Sequence, residues 1–224
     1  MLRHLVFDVN ETLLDVAALD PLFERLFGDR ESRVEWFLTL EEGWLTATIV
    51  DNFQPFGELA KAALVMVGHR RGVTVSEAQC QELVDGMKCL PAHPDVRQAL
   101  DQLRGEGFCL SALSNGSLQA VRHQLESADL ANSFDAVLSV EEVKRYKPAP
   151  EPYRMVAERH GIGLDEMMMV AAHAWDITGA AVAGCRTAFI ARPGKVLNPA
   201  GSQPDLHSSD LQEFAAQVTA WRQH

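Results

Sequence analysis

The period of the hydrophobic positions changes twice along the chain. Residues 3–9 carry a short apolar run, Leu5-Val6-Phe7 and Val9, which reads as a buried strand. The run is broken at Asp8 and followed by Asn10, Glu11 and Thr12. From residue 15 to about 90 the apolar positions recur at helical spacing. Trp36, Phe37, Leu40 and Trp44 form one aromatic face, and Pro55-Phe56-Gly57 opens a helix through Leu59, Ala63 and Val67. Ser76 to Gln79 has the form of a capping box, after which Cys80, Leu83, Val84 and Met87 keep the i, i+3, i+4, i+7 pattern.

From Pro91 strands and helices alternate. A helix from Pro94 carries Val96, Ala99, Leu100 and Leu103 and ends at Gly105-Glu106-Gly107. A strand over 108–113 stops at Ser114-Asn115-Gly116, and a helix with Leu118, Val121 and Leu125 follows. A strand over 136–140 precedes Lys147-Pro148-Ala149-Pro150, which leads into a helix at 151–160. A strand over 167–172 meets His173-Ala174-Trp175-Asp176 and a small-residue helix ending near Gly184. The last strong strand is 187–190, residues 193–204 read as a surface loop, and Ser209-Asp210 cap a final helix bearing Leu211, Phe214, Val218 and Trp221.

Such alternation predicts an α/β fold, a parallel sheet with helices on both faces. Residues 1–14 and 91–224 then form a Rossmann-like core, and 15–90 form a helical cap inserted after strand one. Right-handed crossovers bring the C-terminal ends of parallel strands to one edge. Four of those ends are polar: Asp8 to Thr12, Ser114-Asn115, Lys147, and His173 with Asp176. One such cluster is an ordinary helix cap. Four converging, with a carboxylate, a hydroxyl, an amine and an imidazole among them, predict a reactive site.

Composition narrows this reading. A chain of 224 residues can bury a sizeable core. Its net charge of -11 argues against a nucleic-acid-binding surface and against attraction to acidic membranes. No apolar run approaches membrane-spanning length, and no signal peptide is visible. Cys80, Cys89, Cys109 and Cys185 are widely spaced, with no CxxC and no companion His at zinc-finger spacing, which favours reduced thiols in a cytoplasmic protein.

The motifs Phe7-Asp8-Val9-Asn10-Glu11-Thr12-Leu13, Leu113-Ser114-Asn115-Gly116, Tyr146-Lys147-Pro148 and Ala174-Trp175-Asp176-Ile177-Thr178-Gly179-Ala180 together resemble the haloacid dehalogenase (HAD) superfamily. The last run, with Tyr153 six residues after Lys147, is similar to the L-2-haloacid dehalogenase branch. The resemblance implies a HAD-like core with a helical lid and a hydrolase of small 2-haloacids. Asp8 would be the nucleophile, Lys147 its ion-pair partner, and Asp176 the residue that fixes the lysine. Asn10, Thr12, Phe37, Phe53, Ser114, Asn115, Tyr153 and Trp175 would surround the substrate. It implies water as co-substrate, no cofactor and no metal. Members of the branch are often homodimers, with which the aromatic lid faces are compatible. The superfamily's Mg²⁺-dependent phosphatases resemble Asp-x-Asp at the first motif and Gly-Asp-x-x-x-Asp at the last. Here Asn10 replaces the second Asp, and Ala171-Ala172 stand where Gly-Asp would be, so an acid and a metal ligand are both missing. A phosphatase, or a hydrolase of another activated C–X bond beside a carboxylate, stays as the alternative.

The chain departs from the dehalogenase pattern at three places. Asn10-Glu11 stand where the pattern has Tyr-Gly. Phe37 follows Trp36 where the pattern has a halide-accepting Arg. His173 replaces an Asn, and Ala171-Ala172 replace a Ser-bearing segment. Strand adjacency predicts that the first and third are linked. Glu11 would accept a hydrogen bond from one nitrogen of His173 and leave the other to activate water. Arg33, near Phe37, is a candidate to compensate for the missing cation.

Overall fold

The computed structural model describes residues 2–221. Met1 and residues 222–224, which the sequence reading places in the core, lie outside the described residues. Strand β1 (His4–Phe7) is followed by four helices, α1 (Asp20–Phe27), α2 (Ser32–Ile49), α3 (Phe56–Arg70) and α4 (Glu77–Lys88). The chain then alternates: α5 (Val96–Gly105), β2 (Cys109–Ser114), α6 (Leu118–Ser127), β3 (Ala136–Ser139), α7 (Pro150–His160), β4 (Met167–Ala171), α8 (Ala174–Ala183), β5 (Arg186–Ile190), β6 (Leu206–Ser208) and α9 (Leu211–Trp221).

The strands form one parallel sheet in the order β3-β2-β1-β4-β5-β6. The chain builds outward from β1 to β3 and then returns to the other side of β1, so the order reverses there. In open parallel sheets that reversal opens a crevice at the strands' C-terminal ends, and Asp8 is the first residue past β1. Its amide continues the ladder by donating to Val170 O at 3.0 Å, which fixes the backbone of the acid.

Strand side chains alternate between two buried layers. Leu5, Phe7, Leu110, Ala112, Met168, Val170, Ala188 and Ile190 pack with residues of α5, α6 and α9, whereas Val6, Leu113, Met167, Met169, Ala171 and Phe189 pack with residues of α7 and α8. Both layers are apolar, which is why the strands read as continuous hydrophobic runs.

The capping box at α4 is present, with Ser76 and Gln79 exchanging bonds. Three expectations change. Helix α5 begins at Val96, after the turn that Pro94 opens. The strand predicted over 136–140 stops at Ser139, whose hydroxyl accepts from Glu141 N and starts a 3₁₀ turn. Strand β6 was absent from the prediction because its three residues are too few and too exposed to carry a hydrophobic signal. No helix among the described residues is long and apolar enough to cross a membrane.

Candidate active site

The residue that follows β1 meets residues that follow β3 and β4, and two ionic contacts converge on it. Asp8 is 5% exposed. Lys147 Nζ donates to Asp8 Oδ1 at 2.9 Å, to Asp176 Oδ2 at 2.7 Å and to Leu113 O at 3.1 Å. Those three acceptors match the three protons of an ammonium group, so this fully buried lysine is completely satisfied. Burial alone would lower its pKa, but Asp176 and Asp8 reverse that and hold it above the usual lysine value.

Helix α8 and the loop carrying Lys147 must approach closely for this to form. A Cβ on Gly179 would lie 2.4 Å from Pro148 Cβ and 2.6 Å from Pro148 O, so only glycine permits the contact. On the far side of the lysine, Tyr153 donates to Asp176 Oδ1 at 2.6 Å. Burial raises Asp176 above the ordinary carboxylate value against the pull of Lys147. Burial also pushes Asp8 up, but Lys147 and then His173 outweigh it and leave Asp8 well below the usual range.

The second oxygen of Asp8 is engaged as well. Thr12 Oγ1 donates to Asp8 Oδ2 at 2.7 Å and accepts from Ala172 N at 3.0 Å, tying the turn after β1 to the end of β4. His173 Nδ1 lies 3.2 Å from the same Oδ2, and its Nε2 lies 2.8 Å from Glu11 Oε2. Burial lowers the imidazole's pKa, yet contacts with Asp8 and Glu11 raise it to about 9. The ring is therefore an imidazolium at neutral pH, a proton donor to both carboxylates. The expectation that its second nitrogen stands open to water is corrected: that nitrogen faces Asp8.

Glu11 occupies a left-handed conformation, φ 63°. A non-glycine residue there costs on the order of 1–2 kcal/mol, which accounts for glycine in the resembling pattern. The local turn is closed by Glu11 N donating to Leu14 O at 2.8 Å. The side chain is held by His173 and by an ion pair with Lys195, and Arg33 Nη1 stands 3.7 Å from Oε1. Arg33, one turn before Phe37 on α2, pairs with Asp20 at 2.5 Å, so its charge is committed to carboxylates.

The remaining predicted residues divide between the site and its surroundings. Phe37 stacks on His173, centroids 5.9 Å apart and planes nearly parallel, and Trp175 stacks against the ring at 4.9 Å. Trp175 donates to Glu41 Oε1 at 2.9 Å. Asn115 clasps the Lys147 backbone, accepting from its N–H at 2.9 Å and donating to its carbonyl at 3.4 Å. Ser114 Oγ turns into its own loop and accepts from Gly116 N. Asn10 accepts from Gln124 Nε2 at 3.0 Å and lines a cavity of about 550 Å³ between α3, α4 and α6, whose wall does not include Asp8. Phe53 stacks on Tyr146. Tyr153, expected beside the substrate, instead braces Asp176 within the α7–α8 layer, because α7 directs its ring into that apolar layer.

Lys195 and Arg192 escaped sequence reasoning. Arg192 is 7% exposed, donates twice to Thr12 O and pairs with Asp95 at 2.7 Å, so it anchors the turn that carries Glu11 and Thr12. Lys195 comes from the stretch read as a surface loop. No local pattern marks either residue.

Residues 2–184 match the family described as haloacid dehalogenase-like hydrolase. (S)-2-haloacid dehalogenase 1 of Pseudomonas sp. (strain CBS-3) is 32% identical over 197 residues, 87% of this chain and 86% of the relative. (S)-2-haloacid dehalogenase H-109 of Pseudomonas putida is 28% identical over 217 residues, 96% of each. The crystal structure of the L-2-haloacid dehalogenase RSc1362 superposes with a TM-score of 0.92 at 29% identity, covering 97% of this chain and 98% of that one. The sheet order, the helices inserted after its central strand and these similarities agree: the chain is a hydrolase of the haloacid dehalogenase-like family.

Proposed function

We propose that the protein converts (S)-2-haloacids to (R)-2-hydroxyacids through an ester on Asp8, with residues 15–90 acting as a lid over the core of 1–14 and 91–224. The observation that carries this reading is the pair of ionic contacts that keeps Asp8 anionic in a buried site. A carboxylate so held is a nucleophile and not an acid. Its oxygen attacks C2 opposite the halogen, the C–X bond breaks, halide leaves with the bonding pair, and C2 inverts.

Esterification removes the negative charge of Asp8. Lys147 still has Asp176, but His173 then keeps only Glu11. Its proton affinity falls, it yields its proton to solvent, and Nδ1 faces the ester as a neutral base. Water attacks the Asp8 carbonyl carbon as His173 takes one of its protons. Collapse of the tetrahedral intermediate breaks the bond to the alkoxide, which accepts that proton and leaves as the hydroxyacid. Trp44 is 2% exposed, packs on Phe37 and Trp175, and carries an indole N–H without a partner among the described residues. We assign it to the departing halide, in place of the pattern's arginine.

A divalent cation fits this donor set poorly. Oδ1 of Asp8 is taken by Lys147 and Oδ2 by Thr12 and His173, and alanines occupy 171 and 172. Halide release from racemic 2-chloropropionate is expected to consume only the (S) form and to be indifferent to chelator. In His173→Ala an Asp8 adduct should accumulate, seen as a mass increase on intact protein. Normal turnover of that variant without adduct removes the histidine from the second step, and turnover confined to phosphate esters with Mg²⁺ overturns the whole reading.

A further inference from the structure

At the opposite edge of the sheet, three side chains with no part in this chemistry come together. His4 opens β1, Cys109 opens β2, and the two are register partners in the parallel ladder. His160 is the last residue of α7, which crosses that face. One nitrogen from each imidazole and the sulfur of Cys109 all lie within 4.8 Å of one another. The imidazole centroids are 5.1 Å apart.

We propose that His4, Cys109 and His160 form a binding site for a borderline-soft divalent ion, of which Zn²⁺ is the type. Two imidazoles and a thiolate are the ligands such ions select over hard cations. Three features distinguish the cluster from a chance meeting of polar residues. His4 Nδ1 is buried and has no hydrogen-bond partner among the described residues, an unpaired lone pair or N–H that otherwise costs free energy. His160 Nε2 is 2.8 Å from Ser111 Oγ, the kind of contact that orients a ligating ring through its other nitrogen. All three residues are half-buried, so an ion reaches them from solvent.

Binding requires the thiol to lose its proton, which passes to solvent as the metal–sulfur bond forms. Asp135, whose Oδ2 accepts from Leu110 N at 2.8 Å, borders the sulfur and leaves the fourth coordination position to water or to itself. The ion would tie the starts of β1 and β2 to the end of α7, far along the strands from Asp8.

The test is titration of the reduced full-length protein with Zn²⁺ by calorimetry and with Co²⁺ by absorption. One equivalent should bind, with a cobalt–thiolate charge-transfer band. Cys109→Ser should abolish that band and weaken Zn²⁺ at least tenfold, His160→Gln should weaken it similarly, and Cys89→Ser, at an exposed cysteine, should change neither. Absence of saturable binding, or a band that survives Cys109→Ser, overturns the proposal. So does inhibition of halide release by one equivalent of Zn²⁺ in wild type and Cys109→Ser alike, since that places the ion at Asp8.

Discussion

Two cations share Asp8, and each is shared in turn with a second carboxylate. Lys147 sits between Asp8 and Asp176, and His173 sits between Asp8 and Glu11. The geometry is parallel, but the chemistry is not. An ammonium starts from an ordinary value of 10.5 and is raised further, so losing one carboxylate leaves it charged at neutral pH. An imidazole starts from 6.5 and is raised to about 9, so losing one carboxylate returns it toward neutrality. One site therefore holds a permanent charge and a conditional one, and the condition is the state of Asp8.

Breaking the permanent half has the largest expected effect. In Lys147→Met, halide release should fall by roughly three orders of magnitude or more. Denaturant unfolding should show a loss of about 3–5 kcal/mol, because buried Asp176 loses its counter-charge and Asp8 keeps only His173. Activity within tenfold of wild type would mean that the lysine does not keep Asp8 ionised.

Breaking the conditional half separates the two steps. His173→Gln should release about one halide per active site in a burst and then slow by roughly 10²–10⁴. A slow rate with no burst would place the histidine in the first step instead.

The conditional charge also has a signature in stability. Because folding raises the pKa of His173 from 6.5 to about 9, its contribution is complete below pH 6.5 and is lost as pH rises through about 9. At about 1.4 kcal/mol per pKa unit this is on the order of 3 kcal/mol. Unfolding free energies of wild type should show that decline, and His173→Gln should lack it.

Smaller changes test the outer partners. Lys195→Met removes a cation from Glu11, so the imidazole should hold its proton more tightly. The rate profile should then move to higher pH, with a loss of no more than about tenfold. Tyr153→Phe deletes the bond to Asp176 and should cost about 1–2 kcal/mol of stability, with KM unchanged if the tyrosine acts only through Asp176.

Much of this site was legible because its residues sit at strand ends. Asp8, Ser114 and His173 each terminate or follow an apolar run, and parallel topology sends such ends to one edge. Adjacent strands put Glu11 within reach of His173, and the 2.8 Å contact follows from that placement. The direction of a helical side chain was less accessible, as Tyr153 shows: spacing placed it near Lys147 but could not say which side of Asp176 it would occupy. Asn10 was legible as a departure from an acid, but not its bond to Gln124 on α6.

By itself, then, the sequence determined the parallel α/β core, the inserted helices, the family and the set of ionisable groups that meet past β1. Those follow from local periodicity and from motifs carried in short contiguous runs. Only the tertiary structure decided which groups share protons. Lys195 and Arg192 reach the turn of residues 10–14 from a loop about 180 positions away, and His4, Cys109 and His160 meet across three separate elements. Hydrogen bonds and charge pairing depend on distance in space, and no local pattern encodes a contact whose partners are joined only by the fold.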